Sequence, residues 1–309
     1  MKIKWPDNKK FAFTIVDDTE NSTIENVKPI YDFLYQHGLI TTKTVWVYPS
    51  RDCFTGGCLL DNDYLEFIAD LKAKGYEIGI HNVGAGEYTR EEIIKGLDLF
   101  KEKLGFYPSI HINHYSNKDN IYWGHERFQL ILRSLFKIIY GEKRKFYGTD
   151  INSKYFWGDI CKSKIRYIRN YTFNDINTLK IDPLMPYMDK NKEKYSNYWF
   201  SSSDGHTVKE FNALLKRENV DRLEYEGGAC IVYTHFAYNF VDSKGRINED
   251  FAEKIKYLAS KDGWFVPAGV LLDYLLSFKG NHYVSKSYLT ALDFKWLLDR
   301  IIKRIRFNK

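Results

Sequence analysis

Short apolar segments alternate with segments of helical periodicity along this 309-residue chain. The run from Phe11 to Val16 is apolar, aromatic and β-branched, which is typical of a strand covered on both faces. The segment that follows repeats apolar residues at helical spacing and stops at Gly38. This alternation predicts parallel strands joined by right-handed helical crossovers, because parallel neighbours need a long connection.

The same alternation continues to the end of the chain, although residues 141–165 show no clear period. We expect strands at 11–16, 44–48, 76–80, 109–114, 166–173, 198–202 and 228–235. We expect helices after capping-box patterns at residues 22–25, 89–92 and 207–210, and others near 63–74, 127–140, 249–260 and 268–277.

Acids and histidines stand at the C-terminal ends of several predicted strands. Asp17 and Asp18 follow the first strand, and His81, His114 and His235 each end a later one. Because the C-terminal ends of parallel strands meet at one rim, we expect these side chains to converge. Two adjacent carboxylates repel each other, so the pattern favours a metal ion on one and a proton-transfer role for the other. The alternative is that both acids only begin a turn and cap the next helix.

The order of these segments resembles the polysaccharide deacetylase superfamily, carbohydrate esterase family 4, over roughly residues 9–277. Thr14-Ile-Val-Asp-Asp-Thr19 is similar to the first motif of that family, and Gly75-Tyr-Glu-Ile-Gly-Ile-His81 to the run into the second. Leu104-Gly-Phe-Tyr-Pro108 resembles the approach to the third motif, and Ile231-Val-Tyr-Thr-His235 resembles the last. The resemblance implies a distorted (β/α)7-type barrel.

The resemblance also implies a role for each matching residue. Asp17 would be the general base, Asp18 a metal ligand, His81 a second ligand and His235 the general acid. A divalent metal in such a site lowers the pKa of its water and polarises the carbonyl under attack. Two features depart from the family: Ala85 stands where a further ligand histidine is expected, and the third motif lacks its arginine.

A catalytic zinc site usually has three protein ligands, so a third ligand is needed beside the two that match. His114 is the favoured candidate and Glu87 the alternative. The metal is expected to be zinc, although ligand type alone does not select among first-row ions. Asn113, Tyr115 and Trp123 are the candidate substrate contacts.

The implied function is metal-dependent removal of an N-acyl group, such as acetyl, from a sugar during polysaccharide or glycan biosynthesis. The substrate is then a carbohydrate, in one version a lipid-linked one. The alternative is a catalytically silent or rewired relative that binds glycan through aromatic side chains such as Tyr155, Trp157 and Trp199.

Charge is concentrated at the C-terminus, where residues 286–309 form a predicted basic amphipathic helix after a barrel over 1–285. Residues 295–309 carry six basic residues against Asp299 alone, a net +5 of the total +6. The body is therefore not a basic nucleic-acid-binding surface. We expect the helix to pack on the barrel with its charged face solvated; the alternative is docking on an anionic membrane. Its apolar face comprises Phe294, Leu297, Leu298, Ile301 and Ile305.

The N-terminal residues lack the apolar region of a signal peptide, and no apolar run is long enough to span a bilayer. The four cysteines match no zinc-binding spacing. We therefore expect a cytoplasmic protein, with any membrane contact peripheral and at the inner face.

Overall fold

Parallel strands and helices alternate through the computed structural model, which describes residues 3–141 and 145–307. The predicted fold class, a (β/α)7-type barrel, is confirmed. The strands are β1 (Phe11–Asp17), β2 (Thr42–Val45), β3 (Glu77–Ile80), β4 (Ile110–His111), β5 (Tyr167–Phe173), β6 (Tyr198–Asp204), β7 (Ala229–Thr234) and β8 (Gly263–Phe265). The helices are α1 (Ile24–Gln36), α2 (Asn62–Ala73), α3 (Arg90–Leu104), α4 (Leu130–Tyr140), α5 (Gly158–Lys164), α6 (Thr178–Ile181), α7 (Val208–Leu214), α8 (Arg217–Glu226), α9 (Glu249–Ala259), α10 (Ala268–Lys279) and α11 (Lys286–Phe307).

Strand β1 closes the barrel, in which β1 to β7 form the wall and every pairing is parallel. One edge of β1 pairs with β7 from Ala12 to Asp17. The other edge is shared, because Phe11 to Phe13 pair with β8 whereas Val16 and Asp17 pair with β2. All seven residues of β1 are buried, as the uninterrupted apolar run predicts. The wall is therefore sealed between β1 and β2 only near the C-terminal rim, where the predicted site residues lie.

The predicted capping boxes begin three of the helices. Thr89 with Glu92 caps α3, and Thr207 with Glu210 caps α7. At α1 the box is formed by Thr23 with Asn26, one residue later than the predicted start at residue 22. The side-chain amide oxygen of an Asn at the third helical position accepts from the cap backbone as a Glu would, which is why this shift is tolerated.

The fourth strand is shorter than predicted, since only Ile110 and His111 of the expected segment 109–114 join the ladder. Side chains take the backbone groups that follow. The Asn113 amide oxygen accepts from the Ile121 N–H, and the His114 N–H donates to Asn82 Oδ1 at 2.6 Å. The chain thus leaves the sheet early, and the polar side chains just after β4 are held by other loops. Helices α5, α6 and α8 were not predicted.

The C-terminal helix α11 turns a charged side toward the barrel. Asp204, buried at the end of β6, accepts hydrogen bonds from Arg300 Nη2 at 2.6 Å and from Lys303 Nζ at 2.9 Å. Burial raises the pKa of the Asp204 carboxyl, but these two cations outweigh it and hold the pKa well below its usual range. Packing on the barrel was expected. The expectation that the charged face is solvated is wrong for Arg300 and Lys303, and most of the predicted apolar face is exposed instead.

We predict that Asp204→Asn lowers the free energy of unfolding by about 3 kcal/mol at pH 7, because it removes the carboxylate paired with Arg300 and leaves Lys303 with Glu210 alone. The matched control is Asp262→Asn, which breaks the exposed Lys9–Asp262 ion pair and is expected to cost less than about 1 kcal/mol. Denaturant unfolding measures both.

The cost of Asp204→Asn also depends on pH. The folded-state pKa of Asp204 is depressed, so its contribution is fully present above the unfolded pKa of about 4 and declines as pH falls below it. The difference in the free energy of unfolding between wild type and Asp204→Asn should therefore be smaller at pH 3 than at pH 5, which lie about one unit below and above that pKa. An unchanged difference over that interval would contradict the assignment.

Candidate active site

Three histidines and one glutamate meet at the C-terminal rim of the barrel. His81 directly follows β3, His114 lies in the loop after β4, and His235 directly follows β7. Glu20 reaches them from the loop after β1, and all four residues are buried. The convergence of histidines from separate strand ends follows from the parallel topology.

The Glu20 carboxylate contacts all three imidazoles. Its Oε1 lies 2.8 Å from His81 Nε2 and 3.5 Å from His114 Nε2, and its Oε2 lies 3.3 Å from His235 Nε2. Burial raises the pKa of Glu20, but His81 and His235 outweigh it and hold the pKa well below its usual value. Burial lowers the pKa of His235, and the Glu20 carboxylate more than compensates, so that the pKa of this imidazole is raised.

A backbone contact of His81 Nδ1 fixes the orientation of this imidazole toward the cluster. His81 Nδ1 lies 3.1 Å from the backbone oxygen of Ile112, which can only accept, so Nδ1 carries the proton. The other ring nitrogen, Nε2, then faces Glu20 Oε1 at 2.8 Å. Ligand histidines in metalloproteins are oriented by the same kind of backbone contact.

His114 is oriented in the same way by Asn117. The Asn117 amide donates to the Gly84 oxygen at 2.8 Å, and its Oδ1 accepts from the Gly86 N–H at 2.8 Å. That oxygen therefore also accepts from His114 Nδ1 at 3.0 Å, and the Nε2 lone pair faces inward. His114 Nε2 is buried and makes no hydrogen bond among the described residues.

A carboxylate and two imidazole lone pairs pointing at one place repel each other unless a cation or a proton lies between them. Glu20, His81 and His114 each offer one ligand atom, and these atoms lie within 4.8 Å of one another. Two imidazoles and a carboxylate are a common ligand set of catalytic zinc. The residues therefore fit a divalent cation. A second group that meets the same distance criterion comprises Asp18, Glu20 and His235.

Asp18 is held by an arginine that sequence reasoning did not assign. Arg169 from β5 donates to both Asp18 oxygens, at 3.0 Å and 2.5 Å, and its guanidinium lies 4.4 Å from the centre of the Tyr233 ring. Arg169 lies on a strand after the segment that resembles the approach to the third motif, and that segment has no arginine of its own. The signal in the sequence was a charged residue inside an otherwise buried strand.

The Asp17 carboxylate is engaged by partners other than the histidines. Its Oδ2 accepts from Lys43 Nζ at 2.7 Å and from the Tyr31 hydroxyl at 2.9 Å, and its Oδ1 accepts from the Phe236 N–H at 2.8 Å. Both side chains of the Asp17–Lys43 ion pair are fully buried. Burial lowers the pKa of Lys43, but Asp17 more than compensates and raises it. Both carboxylate oxygens are therefore occupied by protein donors.

The three predicted substrate contacts differ in exposure: Tyr115 is exposed, Trp123 is half-buried and Asn113 is buried. Tyr115 is 56% exposed. Trp123 is half-buried and stacks beneath the Arg127 guanidinium at 4.7 Å. Asn113 is buried, and its amide bonds the backbone of Ile121, so it shapes the loop after β4.

The alternative metal ligand, Glu87, is exposed and accepts a hydrogen bond from the Tyr155 hydroxyl, outside the histidine cluster. Ala85 is buried against Trp46 and Cys58, where a second histidine would not fit without displacing them. Sequence reasoning missed Glu20, although it is the third residue after Asp17. An acid three residues beyond the end of β1 was the available signal.

His206 joins the cluster from the side. Its ring lies 4.5 Å from that of His235, and its backbone oxygen accepts from His235 Nδ1 at 3.2 Å. The Tyr238 ring stacks on the His235 ring, with 4.6 Å between the ring centroids. His235 is thus fixed on one side by a backbone acceptor and presents Nε2 to Glu20.

Comparison with solved structures identifies the fold. The chain is similar to a protein from Mycobacterium smegmatis described as a polysaccharide deacetylase (TM-score 0.52, 13% identity, covering 92% of this chain and 96% of that one). It is also similar to Puue allantoinase (TM-score 0.54, 13% identity, 88% and 92% covered). A third similar structure, described as a polysaccharide deacetylase from Pseudomonas aeruginosa PAO1, has a TM-score of 0.52 at 13% identity (88% and 93% covered).

Neither family models nor curated proteins gave a match. The chain therefore has the fold of the polysaccharide deacetylases, which confirms the resemblance seen in the sequence at the level of fold. None of the described helices has the length and apolar character needed to cross a membrane.

We predict that Lys43→Met destabilises the protein by about 3–5 kcal/mol, because it leaves the buried Asp17 carboxylate without its cation. Lys28→Met is the control, since Lys28 forms an exposed ion pair with Asp32 on one helix and should cost under about 1 kcal/mol. Thermal and denaturant unfolding measure both. Equal effects of the two substitutions would show that the Asp17–Lys43 pair does not stabilise the barrel.

Proposed function

We propose that this protein is a metal-dependent hydrolase that removes an N-acyl group, such as acetyl, from a sugar. The observation that carries the proposal is the buried set of Glu20, His81 and His114, whose ligand atoms face one another at the C-terminal rim. The fold of the polysaccharide deacetylases supports the same reaction class.

In this proposal Glu20, His81 and His114 hold the metal, with zinc or another first-row divalent ion as the occupant. Glu20 then takes the place that the sequence resemblance assigns to Asp18. The support is that both Asp18 oxygens are engaged by Arg169, whereas both histidines direct Nε2 at Glu20. The Ile112 oxygen and Asn117 keep these imidazoles in the ligating tautomer.

When bound, the metal activates water and polarises the acyl carbonyl. The remaining chemistry falls to the neighbouring side chains. Asp18 lies beside the cluster, is oriented by Arg169 and accepts the proton of the attacking water. His235 presents Nε2 on the other side and donates a proton to the leaving amine. Asp17, the base expected from the sequence, is assigned a structural role because its fully buried carboxylate pairs with Lys43, whereas Asp18 lies within reach of Glu20 and His235.

The substrate is proposed to be a carbohydrate. Tyr238, half-buried and stacked on His235, and the exposed Tyr115 in the loop after β4 are the proposed aromatic surfaces for a sugar ring. A lipid-linked sugar in glycan biosynthesis is one form of substrate that the proposal includes. The cytoplasmic location expected from the sequence stays a prediction.

The second candidate is a non-catalytic glycan-binding relative, and one observation favours it. Glu20 and His235 stabilise each other's charged forms, since the pKa of the acid is lowered and that of the imidazole raised. Such an ion pair satisfies part of the cluster without a metal. Metal binding separates the two candidates.

We predict that the purified protein binds about one divalent ion and that Glu20→Gln and His114→Ala each weaken binding by at least about tenfold. Removing a ligand atom leaves too few donors to hold the ion. Calorimetric titration with zinc and metal analysis after dialysis measure the loss.

Two substitutions serve as matched controls for metal binding. Asp18→Asn should retain the ion, because Asp18 is paired with Arg169. His111→Ala should also retain it, since His111 is buried against Trp157 and bonds Asn113. Loss of metal in Asp18→Asn together with retention in Glu20→Gln would restore the assignment expected from the sequence. Absence of binding in the wild type would favour the non-catalytic alternative.

We predict that His235→Gln keeps the metal but lowers kcat by about 10²–10⁴, because general acid catalysis contributes that much. Acetate release and free-amine formation from an N-acetylated oligosaccharide measure turnover, and allantoin serves as a comparison substrate. His282→Gln is the control. His282 lies in a pocket with Gly228, at the N-terminal end of β7, whereas His235 follows the C-terminal end of the same strand. Equal loss in both variants, or unchanged turnover in His235→Gln, would contradict the acid role.

A further inference from the structure

Helices α4 and α11 expose large apolar side chains to an extent unusual for a helix packed on a barrel. Their exposed fractions range from 42% to 82%. Contiguous exposed apolar patches of several hundred Å² mark interaction sites in soluble proteins. We call this set the α4–α11 surface: Leu130, Ile131, Leu135, Ile138, Ile139, Phe294, Leu298, Ile301, Ile302 and Ile305.

The two helices contact each other through their inner sides, which places their exposed apolar faces next to each other. The Trp296 ring of α11 lies 5.9 Å from Phe136 of α4 and 5.0 Å from Phe128 just before it. The Gln129 N–H at the start of α4 donates to Asp293 Oδ2 of α11 at 2.7 Å. Core contacts therefore join the helices on their inner sides and leave the outer sides exposed.

Basic side chains border these apolar faces. Arg133 and Lys137 lie exposed on α4, and Arg304 and Arg306 lie exposed on the last turns of α11, as does Lys295 in its middle. The two acids of these helices are turned inward. Asp293 is buried, and Asp299, partly buried, accepts from the Asn174 N–H. The exposed charges on the described residues of α4 and α11 are thus all positive.

We propose that the α4–α11 surface docks on an anionic membrane surface. The apolar side chains would enter the boundary between headgroups and acyl chains, and the basic residues beside them would meet anionic headgroups. Helices of this kind lie in the plane of the membrane interface.

The charge distribution decides between a membrane and a second copy of the chain. In a two-fold dimer the same patch occurs on both partners, so Arg133, Lys137 and Arg304 would face one another without acids to balance them. An anionic lipid surface complements the same residues. The proposal extends the alternative that the sequence offered for residues 286–309, because α4 contributes half of the apolar side chains and two of the bases.

The α4–α11 surface belongs to the end of the barrel that carries the histidine cluster. Arg300 and Lys303 bind Asp204 at the C-terminus of β6, and His206, two residues later, contacts His235. Docking would therefore bring this end of the barrel to the lipid surface. The proposal does not depend on the proposed hydrolase activity.

The test is co-sedimentation of the full chain with vesicles of phosphatidylcholine alone and of phosphatidylcholine with phosphatidylglycerol. We expect binding to the anionic vesicles that weakens with salt. The triple variant Ile138→Ser, Ile301→Ser, Ile305→Ser should lose more than about tenfold in binding. The variant Arg133→Gln, Lys137→Gln, Arg304→Gln should lose about fivefold for each base removed.

Matched controls remove residues of the same kind elsewhere. Leu60→Ser with Val270→Ser removes exposed apolar side chains and should leave vesicle binding at the wild-type level. A second control set removes exposed bases of α3 and should also leave vesicle binding unchanged: Lys95→Gln, Lys101→Gln and Lys103→Gln. Equal loss in the controls, or no binding by the wild type, would overturn the proposal. A dimer in sedimentation analysis that the apolar triple variant abolishes, without vesicle binding, would assign the surface to self-association.

Discussion

The buried ion pair between Asp17 and Lys43 lies at the seam on which the barrel depends. The two residues are register partners in the short pairing of β1 with β2, and this pairing closes the wall. Asp17 also binds the Phe236 N–H after β7 and the Tyr31 hydroxyl of α1. One carboxylate therefore ties together the last strand of the wall, the first two strands and the first helix. Removing either charge would leave the other desolvated and unpaired, which is why such a pair resists substitution.

This use of Asp17 determines what the neighbouring acids can do. Asp18 points to the rim and is matched by Arg169 from β5. Glu20 lies farther along the loop and is the acid that reaches His81 and His114. The barrel rim thus holds three carboxylates with three different partners: an ammonium, a guanidinium and a set of imidazoles. Each acid contacts a different kind of neighbour, and only the Glu20 set directs imidazole nitrogens at a common point.

The same pairing principle explains the orientation of α11. Because Asp204 is buried at the end of β6, it stabilises the inward placement of Arg300 and Lys303, and the opposite face of the helix is left to solvent. An amphipathic helix normally buries its apolar stripe. Here the ion pairs with Asp204 and the contacts of Trp296 fix the helix with much of that stripe outward, beside the similarly exposed α4.

Local pattern determined much of this protein. The apolar run of β1, the capping boxes at Thr89 and Thr207 and the histidines at strand ends are encoded in short segments, so the barrel and the meeting of His81, His114 and His235 could be predicted. Tertiary structure alone decided which acid meets which cation. Lys43, Arg169 and Glu20 come from strands or loops that pair only after closure, and sequence spacing carries no information about those distances. The outward face of α11 was decided in the same way, since periodicity identifies an apolar stripe but not the buried charge, Asp204, that orients it.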